Sequence, residues 1–497
     1  MVASEAAPYA QTGGLGDVVS GLSLALAGGG SDVVIVTPRY GLTRAPAGAH
    51  WWADVVHVEV GEGHAVHLGV LEATIPAGEH ALRVCFLDHP GLFARDGIYG
   101  DAHGTFGDND VRFAAMSRGA LAVARRLWPD GAEVVHAHDW HAALAVIDAK
   151  GMGPHAALPA QTVLTIHNLA FQGVFGADVL GRIGVARRAF ESGVLEHDGQ
   201  VNLLKGAIVL ADRVTTVSPT YAREILGRRE GCGLDAVLRG HRGKLIGILN
   251  GIDETWWDPS TDESLASRYE ASSPDGARRL CKAALEGELG LRSPGGPLFA
   301  TVSRFTEQKG IDLLLAVVPG LVERGASFAL VGAGDAAIER AVAAAARERP
   351  GRVASRIVFD EHLARRVYAG ADFFLVPSRY EPCGLTQQVA MRYGAIPIVT
   401  GVGGLVDTVT PISAVHEVGT GFVAPSPDAS DLLVACEDAL AMYADASSHH
   451  AAVRRAMRRD AGWTAPALEY LAAYGSSAET LAETVDEALP FRGIVDP

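Results

Sequence analysis

The chain has 497 residues, 58 of them glycine, and a formal net charge of −16. That length exceeds one ordinary core and implies two α/β domains of about 200 residues each. The acidic balance argues against a general nucleic-acid or anionic-membrane surface, so basic residues that converge locally become informative. The 5 cysteines form no CxxC pair, which suits a reducing cytoplasm, and the chain shows no signal-peptide pattern and no apolar run of membrane-spanning length.

Met1 to Ser4 leaves little room for a strand before Glu5 to Pro8, so the first strand is expected to be clipped. Gln11 to Asp17 reads QTGGLGD and precedes Val18, Val19, Leu22 and Leu26 at helical spacing, which is a glycine turn feeding a helix N-terminus. Residues 32–37 read as a buried strand. Alternation over 55–60 and 81–87 predicts an antiparallel excursion. The polar, Gly-rich stretch 89–109 is long enough to be functional rather than a plain connection.

A helix over 112–128 and a strand over 133–136 lead into HAHDWH at 136–141. A metal site fits this string poorly, because its histidines at i, i+2 and i+5 do not share one face. A donor-rich, sugar-binding rim fits better. The strand at 161–166 ends in His167 and Asn168, which suit hydroxyl recognition. Residues 201–211 read as a helix and 213–217 as a strand, with Ser218-Pro219 opening the next helix. ILNGID at 248–253 closes the first half at a hinge.

The second half repeats the α/β rhythm, with strands expected at 298–302, 328–331, 356–359, 373–376 and 396–399. After the first of these, Arg304 and Lys309 sit in a strand-to-helix loop where both cations can converge on one diphosphate. After 373–376 the chain reads PSRYEPCGLTQQVAMRYG, which places Glu381 ahead of a helix over 386–393. Gly401, Gly403 and Gly404 open a second helix start in the same layer, so one acid lies beside two glycine-eased helix starts. Residues beyond 429 are mostly helical, and 463–474 is amphipathic.

Taken together, QTGGLGDV, HAHDWH, TIHNLAFQG, TTVSPTYAREI, ILNGID, VSRFTEQKG and PSRYEPCGLTQQVAMRYG resemble, in order and over nearly the whole chain, the bacterial glycogen synthase and starch synthase family. The resemblance implies an α/β fold of two Rossmann-like domains facing a cleft, the GT-B arrangement. It divides the chain into 1–249, 250–460, and a 461–497 crossover helix and tail returning to the first domain. It implies a cytoplasmic enzyme that transfers glucose from ADP-glucose to the non-reducing end of an α-1,4-glucan with retention of configuration, and that needs no cofactor or metal. Nucleic-acid and membrane partners are not expected.

Carried over by motif, Arg304 and Lys309 hold the leaving diphosphate, Glu381 supports the donor sugar and its oxocarbenium-like transition state, and His167 and Asp139 bind that sugar. Gly14 and Gly16 let backbone approach the phosphates. Asn168, Asn250, Cys383, Gly384, Leu385, Thr386, Gly403 and Gly404 complete the implied substrate contacts. The family carries Lys where Gln11 stands, and Arg and Thr where Thr400 and Val402 stand, which implies weaker donor binding and reduced efficiency. The alternative is a synthase-like protein that binds nucleotide or glucan with little turnover. A dinucleotide oxidoreductase is disfavoured, since no turn shows the full GxGxxG with an acid about 20 residues on.

Overall fold

A computed structural model describes residues 1–475 except 102, 156, 293–294 and 414–417; the tail that the sequence joins to the crossover helix lies outside the described residues from 476 on. The chain forms two compact units, the first comprising Met1–Gly251 and the segment from Gly462, the second Ile252–Ala461.

In the first unit the strand Val34–Pro38 lies parallel to His80–Asp88. On its other side Val2 bridges in parallel to both Val36 and Ala137. Met1–Ala3, too short to form a full ladder, still fills the central slot: Val2 N–H donates to His136 O at 2.8 Å and Val36 N–H to Met1 O at 2.8 Å. The sheet continues in parallel through Val134–His138, Gln161–Ile166, Arg213–Thr216 and Leu245–Gly247. The chain thus builds outward from its centre, returns, and builds outward the other way. The loops that leave the two central positions, 4–16 and 139–141, flank the point where the strand order reverses, where open α/β sheets bind ligands. The expected antiparallel excursion is the strand His64–Ala77, which pairs with Val56–Gly61 and His80–Asp88.

The last described helix, Thr464–Ala473, belongs to this first unit. Trp463, Ala467, Tyr470 and Leu471 share a core with Leu15, Val18 and Leu22 of the helix Gly14–Gly28. Glycine at position 21 is what allows the close approach, since a Cβ there would collide with the Trp463 indole.

The second unit is a 6-stranded parallel sheet in the order Val353–Arg356, Ser327–Val331, Leu298–Val302, Phe373–Val376, Ile396–Thr400, Phe422–Ala424. Strands buried on both faces read as continuous apolar runs, as Phe373-Phe374-Leu375-Val376 does. Here too the order reverses at the centre, between Leu298–Val302 and Phe373–Val376, which pair through Phe299 and Phe373. Asp335 and Asp360 cap the helices Ala336–Glu348 and Glu361–Gly370 by accepting first-turn N–H groups.

Two expectations are corrected. The strand expected at 356–359 is Val353–Arg356, because its partner strand ends at Val331 and Gly332 turns away with φ +154. Ile357, Val358 and Phe359 therefore pair with no strand among the described residues, and Phe359 is 71% exposed. The helix expected from 201 starts at Leu203. Val201 instead pairs with Phe175 in a short antiparallel strand, and the Asn202 side chain caps the helix by accepting the Lys205 N–H at 2.9 Å.

Candidate active site

In the second unit, the loops leaving the two central strands are laced together. Arg379 N–H donates to Gln308 O at 2.8 Å, and Gln308 Nε2 donates to Tyr380 O at 3.2 Å. The Arg379 guanidinium forks onto Asp312 at 2.7 and 2.6 Å. Gly310, at φ +61, has no room for a Cβ, which would strike the Pro377 carbonyl. This frame sets Lys309 Nζ 2.6 Å from Glu381 Oε2, with side-chain exposures of 16% and 7%. Ser378 Oγ donates to the same carboxylate oxygen at 2.8 Å, and Thr400 Oγ1 braces the loop by donating to Ser378 O at 2.5 Å.

Arg304 lies in the first of these loops and is exposed. Its guanidinium makes no hydrogen bond or ion pair among the described residues, so the loop offers one cation already paired and one open to a ligand. Gly404 N–H donates to Glu381 O at 3.0 Å, and a Cβ on Gly404 would overlap the Cys383 backbone. Gly384 and Gly403 hold φ of +75 and +46. Cys383 is buried, and Leu385 and Thr386 start the short helix Thr386–Arg392. Phe359, which sequence reading assigned to a strand, is an exposed aromatic at the same carboxyl end of this sheet.

In the first unit, Asp139 follows the strand Val134–His138 with φ 56 and ψ −175, a conformation almost confined to glycine. Holding a non-glycine residue there costs about 1–3 kcal/mol, a kind of strain that concentrates at functional sites. Its Oδ1 accepts the His167 backbone N–H at 2.7 Å, and burial pushes the carboxyl up to about 7. His167 is half-buried, its Nε2 lies 3.0 Å from His138 Nδ1, and desolvation pushes its imidazole down to about 3. Asn168 Oδ1 accepts the Ala170 N–H at 3.0 Å, and Asn250, just beyond the strand Leu245–Gly247, is buried.

The glycine turn is anchored by Glu5, a residue that sequence reading missed. Glu5 Oε2 accepts Thr12 N–H at 2.7 Å and Gly13 N–H at 3.2 Å, while Oε1 accepts Thr12 Oγ1 at 2.8 Å and Tyr99 Oη at 2.6 Å. An acid at the carboxyl end of the central strand was the signal that could have found it. Tyr99 comes from the long 89–109 stretch, which gives that stretch a concrete task. Glu5 thus engages the two amides that immediately precede the helix Gly14–Gly28. Gly16 sits so close to Ala7 N and Ala10 O that a Cβ would be crowded at 3.2 and 3.3 Å. Gln11 is exposed and its Nε2 donates to Asp17 Oδ2 at 2.6 Å and to Gly13 O at 3.2 Å.

HAHDWH does not form a donor-rich rim. His136 and His138 are buried in a sheet covered on both faces. His136 Nδ1 meets Tyr474 Oη at 2.7 Å and its Nε2 meets Thr165 Oγ1 at 2.6 Å. His141 stacks on Tyr99 with centroids 4.6 Å apart. No cluster of three or more His, Cys, Asp or Glu suited to a metal occurs among the described residues. No helix among them is long and apolar enough to cross a membrane.

Both units are Rossmann-like, and each carries its candidate groups where its strand order reverses. Residues 1–240 match the starch synthase catalytic domain family, and residues 296–442 match the glycosyl transferases group 1 family. A glycogen synthase of Anaeromyxobacter dehalogenans is 43% identical over 95% of this chain and 98% of its own. One from Halorhodospira halophila is 41% identical over 94% and 96%. Among solved structures, the catalytic domain of starch synthase IV from Arabidopsis thaliana, bound to ADP and acarbose, superposes with a TM-score of 0.86 at 32% identity, covering 96% of this chain and 98% of that one. The chain belongs to the glycogen synthase and starch synthase family of retaining hexosyltransferases.

Proposed function

We propose that the protein transfers glucose from ADP-glucose to the non-reducing 4-hydroxyl of an α-1,4-glucan, with retention, in the cytoplasm and with no cofactor beyond the donor. The observation that carries the residue roles is the Lys309–Glu381 pair, with Arg304 in the loop of Lys309 and unpaired among the described residues, at the reversal point of a parallel sheet. A departing diphosphate needs cations, and Arg304 offers a fork while Lys309 offers a point charge. Glu381, held by Ser378 and Lys309, is preorganised to orient donor-sugar hydroxyls and to stabilise positive charge developing at the anomeric carbon. Retention places its demand on positioning and shielding more than on a strong base.

In the first unit, Asp139 and His167 are the groups assigned to the donor sugar, and the Gly14–Gly16 helix start is assigned to phosphate. Phe359 supplies an exposed ring on which the nucleotide base stacks. A second reading, binding with little turnover, is favoured by Gln11, whose amide is engaged by Asp17 and carries no charge. The deciding experiment follows ADP release with ADP-glucose and glycogen, with UDP-glucose as competing donor. Steady release with chain extension supports the synthase; saturable binding without release supports the second reading.

A further inference from the structure

A string of imidazoles runs through the first unit from the last described helix to His167. Tyr474 Oη bonds His136 Nδ1 at 2.7 Å, the His136 and His138 rings stack at 4.2 Å, and His138 Nδ1 meets His167 Nε2 at 3.0 Å. In the last bond one nitrogen must donate and the other accept, and each assignment fixes both tautomers. The other nitrogen of His138 decides between them. His138 Nε2 is buried and meets no partner among the described residues. Protonated, it would be an orphaned buried N–H, whereas bare it is only an under-used acceptor, and orphaned donors are the rarer of the two. The small intrinsic preference of imidazole for the Nε2–H form opposes this choice and is outweighed by the orphaned donor.

We infer that His138 is a positioning residue that donates its Nδ1–H to His167 Nε2 and so locks His167 in the Nδ1–H tautomer. His167 then presents a hydrogen-bond donor, and not an acceptor, to the oxygen of a sugar hydroxyl. All three histidines are held neutral by burial, which keeps the lock in force at ordinary pH. The side of His167 away from His138 is not sealed: Nδ1 is absent from the buried unpaired nitrogens, and the residue is half-buried. That this donor meets sugar rests on the proposed function; the tautomer does not.

The test is nitrogen-15 NMR of histidine-labelled, full-length protein, with the His167 signals identified by their loss in His167→Gln. The expected wild-type spectrum shows His167 protonated at Nδ1 and bare at Nε2. Protonation at Nε2 overturns the inference without any variant having to fold. In His138→Phe the lock is gone, and His167 should relax to a mixture of tautomers, with kcat/KM lower by about tenfold. His138→Asn, whose amide nitrogen overlays Nδ1, should restore both the tautomer and most of the activity. An unchanged His167 tautomer in His138→Phe overturns the inference. Full activity in His167→Gln, with the wild-type tautomer as expected, instead overturns the assignment of His167 to the donor sugar and supports the lock as chemistry of the fold.

Discussion

Lys309 Nζ and Glu381 Oε2 stand 2.6 Å apart, joined across two loops that leave the central strands of one parallel sheet. In the proposed role, a donor diphosphate recruiting Lys309 would compete with Glu381 for the same ammonium. Ser378 Oγ, 2.8 Å from the same carboxylate oxygen, would remain as its partner were the lysine to turn to phosphate. Glu381→Gln keeps the shape and removes the charge. The expected result is a fall in kcat of about 100- to 1000-fold, the usual cost of deleting one preorganised electrostatic group. Initial rates of ADP release at saturating ADP-glucose check this, with circular dichroism as the control for folding.

Gly404→Ala tests the same loop from behind. The added methyl would overlap the Cys383 backbone and disturb the 3.0 Å bond from Gly404 N–H to Glu381 O. Overpacking of this kind costs about 1–3 kcal/mol. Thermal melting should show a lowered midpoint and kcat should drop at least tenfold, since both readouts depend on one displaced segment.

Phe359→Ala should separate binding from folding. The ring is 71% exposed, so its removal should leave the melting midpoint unchanged. Loss of a stacked base costs about 1–3 kcal/mol, which predicts a rise of roughly 5- to 150-fold in KM for ADP-glucose with kcat little altered. Isothermal titration with ADP alone gives the same comparison without turnover.

Gln11→Lys should improve the enzyme. A lysine there offers a charge-assisted bond to phosphate where glutamine offers a neutral one, a difference of about 1–2 kcal/mol, or roughly 5- to 30-fold in kcat/KM. Asp17, now holding the Gln11 amide at 2.6 Å, is the competitor for that new charge. The double change Gln11→Lys with Asp17→Asn should therefore gain at least as much as the single one. Part of the gain should fall on kcat, because charge on the leaving diphosphate grows along the reaction.

The pH dependence of stability follows from buried imidazoles. His141 and His167 are pushed down to about 3, and His136 and His138 also lie well below the usual value, all chiefly by desolvation. The unfolded chain binds these protons near 6.5 and the folded one does not, so their contribution is present above about pH 6.5 and is lost as pH falls. Asp139 has the opposite sign: raised to about 7, it is protonated in the fold and ionised in the unfolded chain between about pH 4 and 7, so it favours the fold as pH falls. The histidines outnumber it. Urea midpoints should drop steadily from pH 7.5 to 5, and His141→Phe should flatten that slope.

Much of this was legible because the sheet strands are apolar runs with glycine or polar loops at their carboxyl ends, and a parallel sheet places ligand groups there. The loops bearing Lys309 and Glu381 could be read that way; the bond between them could not, since it depends on which strands are neighbours. Two apolar cues misled. Ile357-Val358-Phe359 looked like a strand but extends past its partner, and Val201 looked helical but pairs with Phe175. HAHDWH looked like a polar rim because nothing in the string reveals that both faces of its strand are covered, one of them near Tyr474. Glu5 was passed over because its four hydrogen bonds go to residues 12, 13 and 99, which become its neighbours only after folding.

The contact of Trp463 with Gly21 bears on the order in which the protein is made. The second unit is an uninterrupted run, Ile252–Ala461, whereas the first unit begins at Met1 and is completed only by the segment from Gly462. On a ribosome, the second unit has its whole sequence available while the first still lacks Trp463 and Tyr470 from its core. Until those residues emerge, the surface of Leu15, Val18 and Leu22 stays uncovered and His136 waits for the Tyr474 hydroxyl. The unit that precedes Ile252–Ala461 in the chain is thus the last to have its core completed.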